Sequence, residues 1–179
     1  MYKQFKLINE MIGEVIAMDK IADKVKKIGQ NAALLQLNCI KTFCYDSTKA
    51  LTTNQTECGQ GGPPFLPESF DRILLDAPCS GMGQRPNMAY SWSLKEMNSY
   101  QPLQRKLFRV AVQLLKPEGI LVYSTCTITL SENEEQVAWA LQTFPCLRLQ
   151  SQEDRKTLPE PIRSKEVGLV LRQVRDSFT

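Results

Sequence analysis

The chain has 179 residues, enough for one domain with a sizeable hydrophobic core. Its 22 basic and 19 acidic residues give a formal net charge of +3, which permits a nucleic-acid partner without indicating one. The sequence contains no histidine, so Ser–His–Asp triads and Cys–His dyads within this chain are excluded.

The six cysteines include no C-x-x-C pair, so we expect no metal site. No apolar run is long enough to span a membrane, and residues 1–20 lack the apolar core of a secretion signal. We therefore expect an intracellular protein without a disulfide framework. Its expected location is the cytoplasm, with the nucleus as the alternative.

Strand and helix signals alternate along the chain. Residues 13–19 (GEVIAMD) and 39–46 (CIKTFCYD) are short apolar runs that end in an acid, which predicts two buried strands. Between them, apolar residues recur at steps of three and four, which predicts a helix. Its apolar residues are Ile21, Val25, Ile28, Ala32 and Leu35. Glycine, proline and polar residues predict a loop over residues 52–69.

The second half continues the alternation. Residues 70–76 (FDRILLD) and 120–125 (ILVYST) predict a third and a fourth strand, with a helix over 97–116 between them that ends at K-P-E-G. Ser131 is followed three residues later by Glu134, which predicts a capping box at the start of a last helix.

This alternation predicts an α/β fold with a doubly wound, mostly parallel sheet. In such sheets, ligands bind beyond the carboxyl ends of the strands. Reactive or polar side chains lie at or just after all four predicted strand ends, and one sheet would bring them to one rim. They are Asp19, Asp46, Asp76 with Cys79, and Cys126.

The acids after the first two strands have two interpretations. Asp19 is placed to hold a ribose through its two hydroxyls, and Asp46 to receive an adenine amino group. A single acid in such a place more often caps the next helix. Two acids on neighbouring strands favour an adenosyl cofactor.

The two loop cysteines are not easily explained as core residues. Cys79 follows a proline on a loop, and Cys126 lies between two threonines at the end of the fourth strand. A cysteine is ordinarily a small buried hydrophobe, which we expect for Cys39, Cys44 and Cys146.

The segments FDRILLDAPCSGMGQRPNM and LLKPEGILVYSTCTITLSENEEQVAWAL resemble the Sun-domain (Nop/Sun) RNA cytosine-5 methyltransferases over about residues 13–149. The detail of the loop and helix resembles a tRNA-methylating branch of that family. The resemblance implies an S-adenosylmethionine cofactor, a Rossmann-like methyltransferase fold and an RNA substrate, with tRNA as the expected class.

The resemblance also implies roles for individual residues. The cysteine of T-C-T, here Cys126, is the nucleophile, and the cysteine of P-C-S, here Cys79, assists product release. Asp76 faces the target cytosine and borders the cofactor, while Asp19 and Asp46 hold the cofactor. The reverse assignment of the two thiols, with Cys79 as the nucleophile, is the pattern of DNA cytosine-5 methyltransferases.

The chemistry of these residue types agrees with that assignment. Carbon 5 of cytosine is a poor nucleophile until a thiolate adds at carbon 6, and the target base must leave its stack to be reached. Without histidine, a lysine or arginine must hold the RNA phosphates. Arg85 is the candidate, with a solvated loop arginine as the equal alternative.

The chain departs from the family at both ends. We expect residues 1–12 to be a divergent segment, 13–150 an incomplete methyltransferase core, and 151–179 a divergent, partly flexible tail in which VGLVLRQV could add an edge strand. The glycine-rich loop and active-site lysine of the family have no match in residues 1–12. Two functions therefore stay open: an active RNA methyltransferase, and a catalytically impaired form that only binds RNA or protein. An amino-group methyltransferase does not account for Cys126.

We expect this chain to bind S-adenosylmethionine about a hundredfold more weakly than a complete family member. Each lost hydrogen bond to a charged group costs about 1.5–3 kcal/mol, and about 1.4 kcal/mol is a factor of ten in affinity. Isothermal titration of the purified chain with the cofactor measures this. A low-micromolar dissociation constant together with tritium transfer to tRNA would contradict the expectation.

Overall fold

The computed structural model describes residues 13–59, 61–83 and 93–150, and the backbone of 169–173. The chain divides into two compact units, Met1–Leu66 and Pro67–Thr179. Both units combine helices with parallel strands, which confirms the α/β class. Among the described helices, none is both long enough and apolar enough to cross a membrane.

The first unit is built on a parallel strand pair. Strand β1 (Val15–Asp19) and strand β2 (Ile40–Cys44) pair in continuous register, and helix α1 (Ala22–Leu34) connects them. Of the predicted apolar stripe, Ala32 is buried and Val25 and Ile28 are half-buried. Ile21 and Leu35 are exposed, because they lie just outside the two ends of α1. Because the strands are parallel and in register, their carboxyl ends lie side by side.

The second unit contains a four-stranded sheet in the order β3-β4-β6-β5. Its elements are β3 (Phe70–Asp76), α2 (Leu94–Leu114), β4 (Leu115–Ser124), α3 (Glu134–Thr143), β5 (Leu147–Leu149) and β6 (Leu169–Gln173). β3 and β4 are parallel, whereas β6 runs antiparallel to both β4 and β5. The tail therefore contributes an inner strand rather than the edge strand that we expected.

The core of the second unit lies between this sheet and its helices. Phe108 is fully buried and packs its ring 4.7 Å from that of Tyr123, with Trp139 edge-on at 6.3 Å. The ten residues of this core are Ala77, Phe108, Ala111, Val112, Leu115, Leu121, Tyr123, Val137, Ala140 and Leu147. They tie α2 and α3 to the strands that lead to the site loops.

The K-P-E-G segment does not follow α2 as a turn that stops the helix, as we predicted, but lies within β4. The helix stops at Leu114, β4 begins at once, and the pairing with β3 shifts between Phe70 and Arg72 to accommodate the extra residues. A side chain at Gly119 would lie 2.7 Å from the carbonyl oxygen of Lys116. Only glycine fits that close approach.

The predicted capping box at Ser131 and Glu134 is wrong. Helix α3 begins at Glu134, with Asn133 at its N-cap position and no side-chain cap. The capping box of this unit lies instead at Ser93 and Glu96, where each side chain bonds the other residue's backbone N–H. The Ser131 prediction fails because the neighbouring Glu132 and Asn133 side chains make tertiary contacts instead.

The strands pair in two sheets rather than in the one that we expected. A doubly wound sheet of order 3-2-1-4-5 contains a 3–2 pair and a 4–5 pair, separated by its first strand. The pairs β1–β2 and β3–β4 match these in direction and connection. Within the described residues, no strand pairs with both β1 and β3.

Replacing Leu107 by alanine should destabilise the second unit by about 2–5 kcal/mol, because a buried leucine side chain leaves a cavity. Leu107 is only 8% exposed, whereas Leu94 at the start of the same helix is 76% exposed. Leu94→Ala is the matched control and should change the free energy of unfolding by no more than about 0.5 kcal/mol. Denaturant titration by tryptophan fluorescence measures both variants, and equal effects would contradict the assigned core.

Candidate active site

The two loop cysteines meet. The Sγ atoms of Cys79 and Cys126 lie 3.2 Å apart, although 47 residues separate them in the sequence. The backbone N–H of Cys126 also donates to the Cys79 sulfur at 3.3 Å, and the N–H of Gly83 donates to the Cys126 carbonyl at 3.0 Å. The two thiols therefore lie together, as the sequence predicted.

The register of β3 and β4 brings the two loops that carry the thiols side by side. Asp76, the last residue of β3, pairs with Ser124, the last residue of β4, and the N–H of Ala77 continues the ladder to the Ser124 carbonyl at 3.0 Å. The loops that follow thus leave the sheet side by side. One residue beyond the thiols, the hydroxyls of Ser80 and Thr127 are 2.8 Å apart.

Asp76 lies at the same sheet edge as the thiols. Its Oδ1 accepts a hydrogen bond from the Ser124 hydroxyl at 3.0 Å, and the residue is exposed. Its negative charge contributes to the electrostatics of Cys126. The structure therefore brings together Asp76, Cys79 and Cys126, the three residues predicted to act on the base.

The environment of Cys126 favours its protonated form. Its pKa is raised to about 11, first by desolvation, then by the hydrogen bond with Cys79 and by negative charge on Cys79 and Asp76. At neutral pH the sulfur therefore carries its proton. Nucleophilic attack by this thiol requires a group that accepts the proton or a change that removes negative charge nearby.

Asp19 and Asp46 share the carboxyl edge of the first sheet. Each carboxylate uses Oδ1 for a local turn: Asp19 accepts the Ile21 N–H at 2.8 Å, and Asp46 accepts the Thr48 N–H at 3.1 Å. The helix-capping interpretation is thus correct for Asp46, which caps a short 3-10 helix at residues 47–49. It is wrong for Asp19, because Ile21 is the N-cap residue of α1 and that helix has no side-chain cap. The hydrogen bonds from Thr48, more than the charge of Lys20, hold the pKa of Asp46 below its ordinary value.

The second oxygen of each acid faces exposed lysines. Oδ2 of Asp19 lies 3.8 Å from Lys24 Nζ, and Oδ2 of Asp46 lies 3.5 Å from Lys20 Nζ, with the lysine side chains 63% and 79% exposed. Exposed ion pairs of this kind contribute about 0–1 kcal/mol, so a ligand hydroxyl or amino group could displace them. This edge fits the ribose and adenine contacts of an adenosyl cofactor.

The predictions for Arg85 and for the three cysteines expected to be buried have different outcomes. Arg85 lies outside the described residues. Cys44 was expected to be buried but is exposed, because it ends β2, where its sulfur contacts the Lys20 carbonyl at 3.6 Å. Cys39 and Cys146 are half-buried. Within the described part of the chain, no three Cys, His, Asp or Glu side chains cluster in a way that could hold a metal ion.

Sequence analysis missed two buried residues that support the site. Glu132 is 1% exposed, and its carboxylate reaches both loops that carry the thiols. Asn133 accepts from the Thr125 hydroxyl at 2.5 Å and donates to the carbonyls of Thr127 and Thr129. In the run S-E-N-E-E, nothing in hydrophobic periodicity distinguishes them from the exposed Glu134 and Glu135.

The chain is similar to known RNA methyltransferases. A family model described as 16S rRNA methyltransferase RsmB/F matches residues 5–168. The tRNA (cytosine(72)-C(5))-methyltransferase NSUN6 of Mus musculus is 74% identical over 141 residues, which are 79% of this chain and 30% of the relative. The protein of that name from Homo sapiens is 75% identical over 141 residues, with the same coverage. The chain thus spans about 30% of the length of these relatives.

A solved structure supports the same conclusion. The crystal structure of NSun6 from Pyrococcus horikoshii with SFG matches this chain with a TM-score of 0.73 at 27% identity. The match covers 97% of this chain and 46% of that one. The likeness confirms the Rossmann-like methyltransferase fold that the family resemblance implied.

Alkylation of Cys126 by iodoacetamide should accelerate about tenfold per pH unit from pH 7 to near pH 10, because only the thiolate reacts and the pKa is raised to about 11. Cys79→Ala should move this curve to lower pH, since it removes a hydrogen bond and a negative charge that raise the pKa. Mass spectrometry of the Cys126 peptide follows the reaction. Cys58→Ala, in the first unit, is the control and should leave the curve in place; an unmoved curve in Cys79→Ala would refute the coupling.

Proposed function

The chain belongs to the 16S rRNA methyltransferase RsmB/F family, and from this premise we propose that it transfers a methyl group from S-adenosylmethionine to carbon 5 of a cytosine in RNA. The observation that carries the proposal is the 3.2 Å contact between Cys79 and Cys126 beside Asp76. The names of the mouse and human relatives support tRNA as the substrate class.

In the proposed first step, the Cys126 sulfur adds to carbon 6 of the flipped cytosine, and a carbon–sulfur bond forms as the carbon 5–carbon 6 double bond breaks. The electron pair of that bond becomes available at carbon 5, which makes carbon 5 enamine-like. The Cys126 proton must leave before or during the attack, because the raised pKa keeps it on sulfur at neutral pH.

Asp76 supports this step through proton placement. The proton that the Cys126 thiol gives up is taken by the Asp76 carboxyl group and shared with nitrogen 3 of the base, which neutralises the pyrimidine as the sulfur adds. The same proton removes negative charge from the neighbourhood of Cys126, where the charge of Asp76 raises the thiol pKa. Ser124 holds the carboxyl in place by its 3.0 Å hydrogen bond.

In the proposed second phase, which follows methylation of carbon 5, the adduct is resolved. A base removes the proton from carbon 5, the carbon 5–carbon 6 double bond reforms, and the Cys126 sulfur leaves with its electron pair. Cys79 is the group that supports this phase, because its sulfur contacts the leaving sulfur and already accepts the Cys126 N–H. The thiol of Cys79 can return a proton to the departing thiolate.

The first unit would hold the cofactor. Asp19 would bind the ribose hydroxyls, and Asp46 would receive the adenine amino group through Oδ2, which an exposed lysine now faces. When bound, S-adenosylmethionine supplies an electrophilic methyl group. In the solved relative, SFG, an analogue of this cofactor, accompanies a fold that matches 97% of this chain.

One observation favours a second candidate function. The chain spans about 30% of the length of its curated relatives, so most of their length is not matched in it. A module that binds RNA without methylating it is the alternative. Tritium transfer from labelled S-adenosylmethionine to tRNA, measured next to RNA binding by filter retention, separates the two. Retention without transfer at any chain concentration supports the binding module.

The proposed division of labour between the thiols gives opposite phenotypes. Cys126→Ala should abolish methyl transfer and the covalent RNA–protein adduct, because no sulfur remains to attack carbon 6. Cys79→Ala should allow the adduct to accumulate, because attack survives while release is impaired. A denaturing gel of the chain incubated with tRNA and S-adenosylmethionine detects the adduct as an RNA-dependent mobility shift.

Cys58→Ala is the matched control, because this cysteine lies in the 52–69 loop of the first unit. It should form and release the adduct like the unmodified chain. If Cys79→Ala loses the adduct while Cys126→Ala accumulates it, the roles are reversed and Cys79 is the nucleophile.

A further inference from the structure

The two thiols lie on loops rather than on regular structure. Strand β3 ends at Asp76 and β4 ends at Ser124, so Cys79 and Cys126 lie three and two residues beyond the last ladder pair. The ladder therefore determines where the loops start but not where the sulfurs lie. A further constraint must hold the sulfurs 3.2 Å apart.

The Glu132 carboxylate provides contacts to both loops. From the Cys79 loop, the N–H of Ser80 donates to Oε2 at 2.9 Å and the Ser80 hydroxyl donates to Oε1 at 2.6 Å. From the Cys126 loop, the Thr129 hydroxyl donates to Oε1 at 2.9 Å. The Ser80 hydroxyl donates its hydrogen to Glu132. In the 2.8 Å contact between the hydroxyls of Ser80 and Thr127, Thr127 is therefore the donor.

Helix α2 anchors this carboxylate from a third side. The side-chain amide of Gln104 donates both to Glu132 Oε2 and to the carbonyl of Pro78, each at 3.0 Å. Gln104 is fully buried, and its Oε1 in turn accepts from the buried Gln136 of helix α3 at 3.1 Å. The carboxylate is thus fixed to the helical core as well as to both loops.

Because Glu132 and Ser80 are buried, the protein itself must satisfy their hydrogen bonds. Glu132 is 1% exposed and Ser80 is 0% exposed, so water cannot replace a lost partner at this place. Hydrogen bonds to an ionised group are shorter and about twice as strong as neutral ones. A small movement of either loop would leave a buried polar group unpaired, and this opposes such movement.

We propose that Glu132 is a positioning residue that sets the distance between the Cys79 and Cys126 sulfurs by holding both loops against helix α2. The carboxylate of Glu132 acts through its hydrogen bonds with Ser80, Thr129 and Gln104. The inference rests on the proposed function for its catalytic consequence, because a misplacement of about 1 Å costs about a hundredfold in rate. The claim that Glu132 sets the distance between the two sulfurs can be tested without RNA or cofactor.

The test measures the distance-sensitive chemistry of the thiol pair directly. The purified chain is equilibrated with mixtures of oxidised and reduced glutathione. In that exchange, the two cysteine thiols pass two electrons to oxidised glutathione, forming one Cys79–Cys126 disulfide and releasing two reduced glutathione molecules. After acid quench and alkylation, peptide mass spectrometry gives the equilibrium constant. Cys39, Cys44, Cys58 and Cys146 serve as internal references.

Glu132→Gln keeps the length of the side chain but places an amide where a donor now points. It should lower the disulfide equilibrium constant at least about tenfold. Glu132→Asp keeps the charge but shortens the side chain, and should lower the constant as well. Glu135→Gln is the matched control, an exposed glutamate three residues further on, and should change nothing. Circular dichroism checks that each variant is folded.

Two smaller changes make the test decisive if Glu132→Gln does not fold. Ser80→Ala and Thr129→Val each release one loop from the carboxylate and should each lower the constant severalfold. If folded Glu132→Gln keeps the wild-type constant, the positioning role is refuted. It is also refuted if Glu132→Gln unfolds while Ser80→Ala and Thr129→Val behave like wild type, since the carboxylate then serves stability alone.

The same variants distinguish this inference from the proposed function. If the unmodified chain transfers no methyl group but the glutathione equilibria shift as expected, the function fails and the positioning role stands. If methyl transfer occurs and Glu132→Gln slows both formation and release of the adduct without changing the thiol equilibrium, the function stands and the positioning role fails.

Discussion

The hydrogen-bonded register of β3 and β4 is the constraint on which the site depends. Because Asp76 pairs with Ser124, the two strands end level with each other and their loops depart together. A slip of one residue would turn each side chain to the opposite face of the sheet. The fully buried Leu115 and Leu121 oppose such a slip from the β4 side, so core packing and site geometry have the same origin.

Chemistry and scaffold are divided between the two loops and the helices behind them. The loops present thiols and a carboxylate, which are reactive and partly exposed. The groups that support them are buried and take no part in the proposed reaction: Ser80 within the Cys79 loop, and Glu132, Gln104 and Gln136 behind the loops. Their mutual hydrogen bonds replace the solvent that these polar groups would otherwise need. The rigid part of the site is therefore polar, and its position is enforced by the cost of leaving any member unpaired.

Residue patterns predicted most of the fold because local signals were strong. The runs ending at Asp19 and Asp76 contain four and three consecutive apolar residues, VIAM and ILL, and their ends agree with β1 and β3 to the residue. The juxtaposition of Cys79 with Cys126 followed from the rule that parallel strands share a carboxyl edge. The division into two sheets, and the inner position of β6, depend on long-range pairing that no local pattern encodes.

Residue patterns could not predict the buried residues that support the site, and the physical reason is a different one. A buried glutamate has the same sequence appearance as an exposed one, since its burial is determined by distant donors such as Ser80 and Gln104. The serine and glutamate spacing at Ser131 satisfied a local capping rule, but tertiary hydrogen bonds used the neighbouring side chains and shifted the helix start. Local rules fail where side chains are committed to long-range contacts.

The placement of β6 has a consequence for synthesis of the chain. Strand β6 lies between β4 and β5, and Ile120 pairs with Arg172 across 52 residues of sequence. On the ribosome, β4 and β5 emerge well before the strand that joins them, so one edge of β4 has no partner until β6 emerges. Unpaired strand edges promote association with other chains. During translation, this sheet is therefore most exposed to misassembly in the interval before β6 emerges.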